Sequence, residues 1–116
     1  NMRLLLISRS ATMKELISRV LAELPVCVDA VDDVMGACEY VKDHEAPQIA
    51  IMLGSDTPDV LARNTRTVRT ALGNCPLFVC NTCVAGHVDR DPSQLLAYPL
   101  SSEQLTLAVN DVLHGQ

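Results

Sequence analysis

Aromatic residues are almost missing from this chain of 116 residues, which has one Phe, two Tyr and no Trp. That excludes a base-stacking surface for single-stranded nucleic acid, which needs aromatic platforms. Cations are also scarce, nine Lys and Arg against fourteen Asp and Glu, for a formal charge of -5. Phosphate neutralisation needs clustered Lys and Arg, so direct contact with DNA or RNA is not expected. No apolar run reaches the roughly 18 residues of a membrane span, and no signal peptide is visible. A cytoplasmic location without membrane contact is expected. The five cysteines are an odd number without framework spacing. They exclude a disulfide scaffold and read as reduced thiols that pack among apolar neighbours.

What is present is aliphatic: 48% of the chain is hydrophobic. With no internal repeat, linker or low-complexity tract, residues 1–116 read as a single domain with a real core. Asn1 ahead of Met2 reads as a remnant before a native start, and the ending at "HGQ" as that of a fragment of a longer protein.

"MRLLLIS" (Met2 to Ser8) is too short for a helix and too continuously aliphatic for an exposed strand, so it predicts a central strand. Met13, Leu16, Ile17, Val20, Leu21 and Leu24 then recur at helical spacing, predicting one apolar stripe. Ser10 can cap that helix, Thr12 with Glu15 offers an alternative box, and Pro25 ends it. "VCVDAV" (Val26 to Val31) predicts a strand near a sheet edge. Asp32 or Asp33 caps a second helix with a stripe of Val34, Ala37, Cys38 and Val41. Gly36 weakens that helix by about 1 kcal/mol against Ala.

"PQIAIML" (Pro47 to Leu53) predicts the third strand. A helix with Thr57 or Asp56 as cap and Pro58 just inside runs to Leu72, with Gly73 as its stop. "CPLFVCN" predicts the fourth strand and "LLAYP" the fifth. Ser101 with Gln104 forms a capping box for a last helix that buries Leu105, Ala108, Val109, Val112 and Leu113. Between the fourth and fifth strands, "TCVAGHVDRDPSQ" has room for only a loop or a short, degenerate helix. The expected fold is α/β, a three-layer (βα)5 arrangement with a parallel five-stranded sheet.

In such folds ligands sit beyond the carboxyl ends of the strands, near the point where strand order reverses. The residues there are Ser8, Arg9 and Ser10, then Leu53, Gly54 and Ser55, then Asn81 and Thr82, then Tyr98. With the closing "YPLSSEQL", element order and spacing resemble the receiver domain of bacterial response regulators over essentially the whole chain, a flavodoxin-like fold. Matched residue by residue, the receiver's acidic pair falls on Ser8 and Arg9. Its phosphorylated Asp falls on Leu53, its hydroxyl on Asn81, its lysine on Tyr98 and its mobile aromatic on Leu95. The resemblance thus implies the scaffold with a vestigial pocket made of Ser8, Arg9, Leu53, Asn81 and Tyr98. Aspartyl phosphorylation needs a carboxylate nucleophile and Mg²⁺ on oxygen ligands. Leu53 supplies no nucleophile, Arg9 puts a permanent cation where the metal would sit, and Asp56 alone lacks the acidic pair and the lysine. No catalysis, metal or cofactor is expected.

"IMLGSD" (Ile51 to Asp56) is further similar to the first domain of FleQ-type flagellar regulators, sigma-54-dependent activators with a degenerate receiver before an AAA+ ATPase and a helix-turn-helix. That family can keep acidic residues where this chain has Ser8 and Arg9. The resemblance implies a regulatory and dimerisation domain whose partners are a second copy and the downstream ATPase and DNA-binding domains. The alternatives are an anion or nucleotide site at Ser8, Arg9, Ser10, Ser55 and Asn81, or a stand-alone interaction adaptor.

Smaller features are weighed against their plainer readings. "CNTC" (Cys80 to Cys83) with Cys75 suggests a thiol switch, or zinc if His87 joined; buried structural thiols are the expectation. Arg63, Arg66 and Arg69 predict a solvated helix face or, more sharply, an electrostatic contact. His44, His87 and His114 receive no role, and Tyr98 is expected to cover the vacated pocket.

Overall fold

Alternation along the buried strands sorts the core into two layers, one on each face of a parallel sheet. The structure, a computed structural model, describes residues 2–54, 57–81, 94–95 and 101–115. In β1 (Met2–Ile7), Met2, Leu4 and Leu6 join one apolar cluster while Leu5 and Ile7 join the other. In β3 (Ile49–Gly54), Ile49 and Ile51 go one way, Ala50 and Met52 the other. This period-two division is what a strand with both faces covered requires. Helices α1 (Ala11–Leu21) and α4 (Ser102–His114) close the first layer, α2 (Val34–Asp43) and α3 (Pro58–Leu72) the second.

The strands run in the order β2-β1-β3-β4, all parallel, with β2 (Val26–Val31) at the edge and β4 (Leu77–Asn81) on the far side. Gln94–Leu95, labelled β5, pairs with Phe78 and Val79 of β4. The rest of the fifth strand expected at Leu95–Pro99, and the degenerate helix expected before it, lie outside the described residues. Register aligns Ile7 with Val31 and Met52, and Gly54 with Asn81, so the carboxyl ends of four strands finish at one rim.

Local chemistry accounts for the helix boundaries. Ser10 caps α1, its Oγ accepting from the Met13 N–H at 3.1 Å, so the Thr12 and Glu15 alternative is not used. The helix stops at Leu21, short of Pro25; the Leu24 N–H turns back to the Leu21 carbonyl, and the residue before a proline resists helical geometry. Leu16 is 46% exposed, at the border of the predicted stripe rather than inside it. Asp33, not Asp32, caps α2, accepting from the Gly36 N–H at 2.8 Å. The buried face of α2 is Ala37 with Tyr40, whereas Cys38 is only half-buried. Tyr40 was absent from the expected stripe because its polar tip hid an apolar body.

Thr57 holds the cap position of α3 without a side-chain cap bond, and Pro58 opens the helix. Gly73 ends it at φ +66, a left-handed conformation that favours glycine. Ser101 and Gln104 make both bonds of a capping box on α4, and Leu105, Ala108, Val109 and Val112 are buried. Among the described residues no helix is long and apolar enough to cross a membrane.

One core position is imperfect. Thr65 is 2% exposed, and among the described residues its Oγ1 has no hydrogen-bond partner. Burying a hydroxyl unpaired costs about 1–3 kcal/mol, so an isosteric methyl in its place removes that penalty. Thr65→Val is therefore expected to raise stability by about 1 kcal/mol, read as a higher urea midpoint at unchanged slope.

Candidate functional site

The rim where β1, β3 and β4 end is the place a receiver-like pocket would occupy. Ser8, one residue past β1, is 3% exposed; its N–H donates to the Val31 carbonyl and its Oγ accepts from the Ser10 N–H at 3.1 Å. The buried hydroxyl thus organises the turn into α1. Leu53, half-buried near the end of β3, packs against the cluster formed with α1 and α4. An aliphatic side chain at this end of β3 extends the core and offers no nucleophile. Asn81 reaches the rim as the last residue of β4, aligned with Gly54. Ser55, Asp56 and Tyr98, together with the 82–93 segment and its Thr82, Cys83 and His87, lie outside the described residues.

Arg9 departs from its expected position. Its side chain is 81% exposed, and the guanidinium lies 3.6 Å from Asp33, on the β2 side of the rim. It does not occupy the space beside Leu53 where a metal would bind, because the carboxylate capping α2 draws it outward. Lys14 of α1 ion-pairs with the neighbouring Asp32 and holds that carboxyl below its usual range. In the sequence both acidic residues read as helix caps.

A divalent cation does not fit the described residues of this rim. Mg²⁺ demands oxygen ligands, mainly carboxylates; Leu53 offers none, and the Ser8 oxygen already accepts a backbone N–H. No group of three His, Cys, Asp or Glu placed to hold a metal occurs among the described residues. Cys75 and Cys80 are buried, and desolvation pushes the Cys75 thiol up to about 11 and raises that of Cys80. The expectation of uniformly packed cysteines fails at Cys27, which is exposed on the edge strand.

A second polar cluster lies at the other end of the sheet edge. Arg3 donates to Asp29 at 3.1 Å and to the Tyr40 hydroxyl at 2.7 Å, while that hydroxyl donates to Asp29 at 2.5 Å. His44 stacks on the Tyr40 ring, centroids 4.3 Å apart. The sequence held a clue, an arginine and an aspartate inside otherwise apolar strands. With Arg3 paired to Cys27, Asp29 comes two residues along on the same face. The Tyr40 and then the Arg3 hydrogen bonds hold the Asp29 carboxyl below its ordinary value. Burial, then the bond to Asp29, raises the Tyr40 phenol.

A carboxyl depressed in the folded state stabilises above its unfolded pKa, about 3.9, and the gain disappears as pH falls through the folded value. Wild-type stability is accordingly expected to fall more steeply below about pH 4 than that of Asp29→Asn. Urea denaturation across the acid range checks this; parallel limbs would show that the cluster has no such role.

Beside that cluster, an open concavity of ≈ 430 Å³ lies between β2 and α2, lined by Asp32, Asp33, Gly36, Glu39, Tyr40 and Asp43 among others. It sits off the sheet edge, away from the rim. On α3, Arg63 and Arg66 are exposed as expected, but Arg69 is not part of a solvated face. Its Nη1 donates to the Gly73 and Cys75 carbonyls at 3.1 and 2.6 Å, fastening the end of α3 to the approach into β4.

No family model matches this chain, and no curated protein matches it in sequence. Solved structures do. A response regulator receiver protein from Sinorhizobium medicae superposes with a TM-score of 0.71 at 21% identity, covering 97% of this chain and 94% of its own. The receiver domain of a histidine kinase from Syntrophus aciditrophicus gives 0.77 at 15% identity, with 99% and 92% covered. The fold is that of a receiver domain. The same scaffold occurs in the pilus assembly protein CpaE from Caulobacter crescentus, with a TM-score of 0.73, 14% identity, and 97% and 99% covered.

Proposed function

We propose that this receiver-like domain is non-catalytic and regulatory, acting through its surfaces and by self-association without aspartyl phosphorylation. One observation carries the reading: Leu53, where a receiver would place its phosphorylated aspartate, is an aliphatic side chain half-buried against the core. The buried, already engaged Ser8 supports it, since a pocket built for a metal would present free oxygens there. The similarity of "IMLGSD" to FleQ-type regulators supports a place at the amino terminus of a sigma-54-dependent activator of flagellar or biofilm genes, ahead of an AAA+ ATPase and a DNA-binding domain. Within such a protein the domain sets the assembly state of the ATPase. Sedimentation of the chain over a concentration series tests the association: a dimer is expected, and a strict monomer near millimolar concentration removes that part of the reading.

The anion-site alternative at Ser8, Arg9, Ser10, Ser55 and Asn81 is less well supported, because Arg9 is turned toward Asp33 and Ser10 Oγ is spent on capping α1. Calorimetry with phosphate and cyclic dinucleotides, beside Arg9→Ala, distinguishes it. Binding that depends on Arg9 would favour this alternative.

A further inference from the structure

We draw no further inference here: the strongest candidate, the open concavity between β2 and α2 lined by Asp32, Asp33, Glu39 and Asp43, is a cluster of acidic side chains in which Asp32 and Asp33 are already engaged by Lys14 and Arg9, and nothing in the structure shows what covers it.

Discussion

Acetyl phosphate with magnesium is expected to leave the mass of this chain unchanged, and Leu53→Asp is expected not to restore the reaction. A carboxylate at position 53 would enter a half-buried site against the aliphatic residues of the α1 and α4 layer. Its charge would find no metal, because residue 8 is a buried serine already bonded to Ser10, and Arg9 is held outward by Asp33. Desolvation without a partner raises a carboxyl pKa and costs stability, here roughly 2 kcal/mol. Intact-mass measurement after incubation, with urea denaturation of the variant, reads both effects. Addition of one phosphoryl group to an aspartate of the wild-type chain would refute the proposed function at its root.

Truncation of the central strand should have the largest effect on stability. Leu6 is 0% exposed, lies in a strand paired on both sides, and fills the cluster closed by α1 and α4. Leu6→Ala removes that apolar volume and leaves a cavity which the paired backbone cannot collapse, at a cost of about 3–5 kcal/mol. Since domains of this size are stable by only about 5–15 kcal/mol, a large fall in urea midpoint is expected. The same truncation at Leu107, 63% exposed on α4, should change stability by less than about 0.5 kcal/mol. Comparable losses at the two positions would contradict the assigned core.

Sequence and structure agree most closely where the signal is local. Val26–Val31 forms a strand over the predicted residues because Pro25 and Asp32 bound a short alternating run. The Ser101 and Gln104 box lies within one helical turn, so it too is readable. The roles of Arg9, Tyr40 and Arg69 are not legible there, for the opposite reason. Each finds its partners through the relative placement of two elements, and helical periodicity carries no information about that. Arg63, Arg66 and Arg69 looked alike in the sequence; only the third faces the carbonyls left open where α3 stops at Gly73. That Leu53 carries no nucleophile is legible from residue identity alone. The direction in which Arg9 turns is not.

The buttressed carboxylate of Asp29 has a consequence for solubility. It stands midway along β2, the strand that closes one edge of the sheet among the described residues. Such a margin templates runaway strand-to-strand stacking unless something spoils it. Anchored by a guanidinium and a phenol from within the same molecule, the negative charge stays at that margin and burdens any intruding ribbon with its desolvation. An intruding strand is thereby disfavoured at this edge.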